Sequence, residues 1–199
     1  MEKLRMIDGI RLSEHTDKFM DRDERARMAL SSFLTKEKVH MLIDMGYTKA
    51  PASTKHHGDY IGGLFDHSWY MTRILNILTE NLNLVWGRKD SPAVIGYMHD
   101  LCKIDAYKRV PDGDGDFVMF VHNEQDIFKQ FEGHGNKSVQ ILNQLNLLEL
   151  TEEERNCIRY HMGAYDTADI QIMSSIAKKF PNLYFVQLAD CIASQIMGV

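Results

Sequence analysis

The chain has 199 residues, of which 44% are hydrophobic and 26% charged, with 23 basic against 28 acidic side chains for a net charge of −5. That is too apolar for a disordered chain and long enough to bury a sizeable core as one domain. It also lacks the basic surplus of a general nucleic-acid binder. Cys102, Cys157 and Cys191 form no CxxC pair, which argues against a cysteine zinc site or a disulfide framework and fits a reducing cytoplasm. The opening MEKLRMIDGIRLSEHTD has no apolar signal-peptide core. No apolar run approaches the roughly 18 residues that span a bilayer, so no membrane association is expected.

Taken in chain order, 3.6-residue periodicity predicts helices at about 13–30, 35–46, 62–86, 91–105, 134–148, 151–162, 167–179 and 181–197. Residues 47–61 read as a polar loop carrying His56 and His57. Ser91-Pro92 reads as an N-cap followed by proline at the first helical position. Residues 106–122 read as a β-hairpin, two short strands around the Asp112-Gly-Asp114-Gly-Asp116 turn. A calcium-loop reading of that turn fails because Phe117 and Asn123 stand where glycine and glutamate are needed. Thr151 to Glu154 form a capping box, and Pro181 is expected to start the last helix. The expected architecture is all-α: one helical bundle over 1–199, with N-terminal helices in 1–50 packed on a core at 55–197 and a small hairpin insertion near 106–122.

Nine histidines are the unusual count, and several fall where apolar residues belong. The face of the helix at 62–86 steps Leu64, His67, Met71, Ile74, Leu78, and that of the last helix Leu183, Val186, Asp190, Ala193, Met197. Ile95, His99 and Cys102 share a face with Asp100 beside it, His134 leads the stripe Ser138, Ile141, Leu145, and His161 follows Cys157 and Ile158 by one turn. A lone histidine on such a face is ordinarily a hydrogen-bonded core residue, and a lone buried carboxylate is costly. Six such groups from five helices are another matter. Neutral imidazoles do not offset two buried carboxylates, and no set of buried arginines is evident to do so. One or two divalent cations (Mn, Fe, Zn, Ni or Co) would satisfy all six at once.

The ordered series His67, His99-Asp100, His134, His161, Asp190 resembles the HD-domain superfamily of all-helical, metal-dependent phosphohydrolases. Local contexts agree: GGLFDHS at 62–68, HDLCK at 99–103 (close to a common HDLGK, with Cys102 in place of glycine), GHGNKS at 133–138 and LAD at 188–190. HHGDYIGG at 56–63 is similar to HD domains attached to bacterial exoribonucleases. The resemblance covers about 55–197 and implies that His67, His99, Asp100 and Asp190 hold a first metal. It further implies that His134 and His161 belong to a two-metal subgroup in which Asp100 bridges.

The expected chemistry is hydrolysis of a phosphate ester or anhydride of a nucleotide-like small molecule by hydroxide generated at the metal. Lys103, three residues after Asp100, is expected to bind a phosphoryl oxygen as a point charge. With Asp100 it makes the catalytic pair, and His57 is a substrate contact. His56, Tyr165 and Asp166 stand near the site without an assigned role, and His15, His40 and His122 read as structural or surface residues. Two rival readings share the pattern: a di-iron oxygenase of the HD type, and an HD module that senses a nucleotide without turning it over.

Overall fold

The computed structural model describes residues 21–111, 118–123, 133–163 and 170–199. In chain order the helices are α1 (Arg22–Leu30), α2 (Lys36–Asp44), α3 (Gly63–Leu82), α4 (Ser91–Met98), α5 (His134–Gln144), α6 (Glu152–Arg159), α7 (Ile170–Lys179) and α8 (Leu183–Cys191). A single 3₁₀ turn, Leu101–Lys103, follows α4, and α8 continues in the wider π form over Ile192–Met197. Strands β1 (Tyr107–Pro111) and β2 (Val118–His122) pair antiparallel, with Tyr107 opposite His122 and Pro111 opposite Val118. The hairpin is therefore present; its expected Asp/Gly turn at 112–117 lies outside the described residues. Among those residues, no helix is long and apolar enough to cross a membrane.

The periodicity of α3 explains its central place. Leu64, Phe65, His67, Ser68, Met71, Ile74 and Leu75 are all buried, and α4 and α8 with its π continuation pack against this helix. One hydrophobic cluster runs from Ala26 and Leu30 on α1, through Leu64 and Met71 on α3 and Val94 and Ile95 on α4, to Ile141, Ile158 and Val186 on α5, α6 and α8. Two glycines set close approaches between helices. A Cβ on Gly96 would stand 2.2 Å from Thr72 Oγ1, and one on Gly135 would stand 2.3 Å from the Arg159 carbonyl oxygen. Glycine thus lets α4 lie on α3, and the start of α5 lie on the end of α6.

Several helices end earlier than their periodicity predicts, among them α5, which stops at Gln144 rather than 148. The expected helix at 91–105 stops at Met98; Asp100, at φ −106° and ψ 20°, sits near the sparsely populated bridge region and turns the chain into the 3₁₀ segment. Tyr160, at φ −112° and ψ 17°, ends α6 in the same way, so His161 lies just past the helix rather than within it. The α3 helix closes on Asn83 in the left-handed conformation, four residues before the expected end region is complete. Ser91 is not the cap of α4: Asp90 occupies that position, and the Ser91 hydroxyl bonds Glu154 Oε1 at 2.7 Å instead. The last helix begins at Leu183 behind Asn182 rather than at Pro181.

The capping box on α6 is as expected. Thr151 Oγ1 accepts from the Glu154 amide at 3.2 Å, and Glu154 Oε2 accepts from the Thr151 amide at 2.9 Å. The other Glu154 oxygen accepts from Arg88 Nε at 2.7 Å and from Ser91, tying α6 to the entry of α4. Thr151→Ala is expected to cost about 1 kcal/mol, and Glu154→Ala, which also strands two donors, about 2–3 kcal/mol. Urea denaturation of the two variants reads the difference; equal losses would show that Glu154 acts only through the cap.

Candidate metal centre

The six side chains singled out by pattern converge. Ligand atoms of His67, His99 and Asp190 lie within 4.8 Å of one another, as do those of His99, Asp100 and His161, and those of Asp100, Cys102 and His134. His67, His99, Asp100 and His161 are buried, Asp190 is nearly so, and His134 is exposed at the rim. His67 Nε2 stands 3.1 Å from His99 Nε2 and 3.1 Å from Asp190 Oδ1. Asp100 Oδ2 is 3.5 Å from His99 Nε2 and 3.7 Å from His67 Nε2, while its Oδ1 is 3.6 Å from His161 Nε2.

The backbone sets the orientation of the three buried imidazoles. His99 Nδ1 donates to the Gly96 carbonyl at 2.8 Å, and His161 Nδ1 to the Ile158 carbonyl at 2.8 Å. Both acceptors lie in the last turn of a helix, where carbonyls lack an intrahelical partner. His67 Nδ1 donates to the Val199 main-chain oxygen at 2.9 Å. Since a carbonyl only accepts, each Nδ1 carries a proton and Nε2 is the ring atom turned to the centre; against burial, Asp100 beside His161 raises that imidazole above its ordinary value. This is the arrangement by which histidine ligands are oriented for a metal.

The electrostatics agree. Burial pushes His99 below the ordinary imidazole value, so it stands neutral. Burial opposes the charge on Asp100, yet Lys103 and the facing rings of His99 and His161 hold its carboxyl well below the usual range. Asp190 is likewise held low against burial, chiefly by His67. Lys103 is itself buried, with Nζ 2.6 Å from Asp100 Oδ2. No set of buried arginines is evident from the sequence to offset the buried carboxylates; a lysine, Lys103, neutralises one of them. The other remains, along with the Nε2 atoms of His67 and His99 facing each other at 3.1 Å and a buried His161 Nε2 that has no hydrogen-bond partner.

These residues fit a divalent cation. Donors about 2.1 Å from an ion stand roughly 3.0–3.4 Å apart at neighbouring coordination positions; His67 Nε2 lies 3.1 Å from both His99 Nε2 and Asp190 Oδ1, while His99 and Asp190 are 4.0 Å apart. Imidazole nitrogen with carboxylate oxygen is the donor mix of first-row divalent metals.

Of the other expected residues, His57 packs its ring on His67 with centroids 5.0 Å apart; its buried Nδ1 lacks a partner, and burial beside His67 and Lys103 lowers it to about 4. His56 is exposed and only its amide is engaged, by Ser53 Oγ. His40 is an exposed partner of Asp44, and His122 an exposed strand residue beside Tyr107. Tyr165, Asp166 and His15 lie outside the described residues. Pattern reading passed over Cys102 as a donor; its buried thiol, pushed up to about 12 by desolvation, lies 3.9 Å from Asp100 Oδ1. Its place on the His99 face was the available signal. The carbonyl partners of the imidazoles had none, because any residue type supplies a carbonyl.

The model of the HD domain family matches residues 64–195, a stretch that holds all six donors. Searches of the curated proteins and of the solved structures return no match.

Zinc or cobalt, added to metal-free protein at 100 times its Kd, is expected to stabilise the fold by about 2.7 kcal/mol. For a chain of this size that raises Tm by about 5–10 °C. His99→Ala should lose most of the increment in scanning calorimetry; melting that is indifferent to every first-row metal would count against the cluster as a cation site.

Proposed function

The chain belongs to the HD-domain family, whose members are in general metal-dependent phosphohydrolases, and on that premise we propose that it hydrolyses a phosphate ester or anhydride of a small nucleotide-like substrate. The metal ligands in this reading are His67, His99, Asp100, His134, His161 and Asp190. What carries it is the set of backbone-oriented imidazoles whose Nε2 atoms face two carboxylates in a buried centre. When bound, a divalent cation supplies Lewis acidity, lowering the pKa of water from 15.7 towards about 7 and polarising a phosphoryl oxygen.

The chain's own residues contribute the rest. Asp100 presents one oxygen to each half of the cluster. Lys103 holds that carboxylate in place and offers an ammonium to a non-bridging phosphoryl oxygen. His57, neutral at pH 7, stands beside His67 where an N–H reaches a leaving oxygen. The exposed rim at His134 is the open side from which a substrate enters. A net charge of −5 favours a small substrate over a polyanion, and three free cysteines favour the cytoplasm.

Protein loaded in turn with Mn, Fe, Co, Ni and Zn is to be tested against nucleoside mono-, di- and triphosphates, dinucleotides and cyclic nucleotides, with phosphate and nucleoside products separated chromatographically. Turnover is expected with at least one metal. Asp190→Asn should lower kcat/KM by about 100-fold. Lys103→Met should cost about 10-fold, mainly in KM if its ammonium meets the substrate. Inertness over the whole panel, or oxygen uptake specific to the iron form, would reject hydrolysis.

A further inference from the structure

The Asp100 carboxylate faces two ways. Its Oδ2 looks to His67, His99 and Lys103, at 3.7, 3.5 and 2.6 Å. Its Oδ1 looks to His161 Nε2 at 3.6 Å and to Cys102 Sγ at 3.9 Å. On that second side, Asp100, Cys102 and His134 bring ligand atoms within 4.8 Å of one another. His161, which shares the Asp100 carboxylate through a separate group, is buried with Nε2 3.6 Å from Oδ1 and no hydrogen bond to satisfy it. The Cys102 amide donates to Ser138 Oγ at 3.0 Å, one helical turn beyond His134, and so fixes the thiol relative to that imidazole.

We propose that Cys102 is a thiolate donor to a second metal position, shared with Asp100 and His134. The proposal rests on the metal-centre reading above and adds a sulfur ligand to it. A metal–sulfur bond of about 2.3 Å beside a metal–oxygen bond of about 2.1 Å places the two donors roughly 3.6 Å apart in a tetrahedral site, near the separation found. On binding, the Sγ–H bond breaks, the Sγ–metal bond forms, and the proton leaves to solvent; no electron is transferred. Sulfur is the softest donor in the cluster, so it biases this position towards Zn, Co, Cd and Fe over Mn or Mg. The two halves of the centre then differ in metal preference, an all-N/O half and a half containing sulfur.

The test is a titration of the metal-free full-length chain with Co(II) under a phosphine reductant, followed by absorption. The expected result is uptake of two equivalents, the second bringing an intense near-ultraviolet sulfur-to-cobalt charge-transfer band. Cys102→Ser and Cys102→Ala should lose that band and bind the second equivalent at least about 10-fold more weakly, while keeping the visible bands of the first. Uptake of two equivalents without the band, uptake of one only, or a band that survives in Cys102→Ser overturns the sulfur ligand and leaves the hydrolase reading standing. Failure to bind cobalt at all overturns both. Should the variants fail to fold by circular dichroism, cadmium NMR of the unmutated protein decides. A strongly downfield second resonance marks sulfur ligation, and its absence refutes it.

Discussion

A carbonyl oxygen in the last turn of an α-helix has no amide four residues on to accept from. In this protein the carbonyls of Gly96 and Ile158 each accept a hydrogen bond from the Nδ1–H of a histidine three residues later in the chain, His99 and His161. Everything in the centre follows from that bond. It turns Nε2 inward and, with the His67–Val199 bond, brings ring nitrogens of different helices to within 3.1 Å of each other at His67 and His99. Two such nitrogens repel unless a proton or a cation lies between them. Burial acts against the proton at His99, which leaves the metal ion as the better occupant.

Where the helices stop matters as much as where they run. Apolar periodicity continues from Ser91 through Ile104, so nothing in the pattern marks a break at Met98. The break comes from Asp100, whose carboxylate is drawn between His99, His161 and Lys103 and takes its backbone into the bridge region with it. The same blindness applies at Tyr160. A periodic stripe reports which face is buried, and it placed His67, His99, His161 and Asp190 correctly for that reason. It does not report the turn at which tertiary contacts outweigh helix propensity. Lys103 was read from its spacing as a phosphate contact; its burial against Asp100 was invisible because the 3₁₀ turn that buries it was invisible too. The capping box at Thr151 was legible because both of its partners lie within four residues.

The charge pattern is graded. Asp66 and His67 are consecutive on α3, about 100° apart around the axis. Asp66 is turned to α1, where Arg22 binds it through Nε at 3.0 Å and Nη2 at 2.7 Å, Arg25 adds a contact at 3.2 Å, and Tyr60 a hydroxyl at 3.2 Å. That carboxylate is satisfied by protein cations and has no need of a metal. Asp100 is half satisfied by one lysine. Asp190 has imidazoles as its charge-stabilising neighbours. Counter-charge supplied by the chain therefore falls off towards the centre, which is the condition for a cation to be held there.

The Asp66 clamp also explains how one helix keeps a ligand in register. Rotation of α3 about its axis by a single residue step would swing His67 Nε2 away from His99. Such rotation would at once break the bidentate Arg22–Asp66 pair on one side and the His67–Val199 bond on the other. Arg25 is further held by the rings of Phe65 and Trp69, 5.4 and 5.6 Å from its guanidinium carbon. The helix is thus gripped from α1 and from the chain segment after α8. Two bonds with acceptors and donors far apart in sequence resist the one motion that would open the centre, and they do so from outside it, where no donor facing the cation has to be spent.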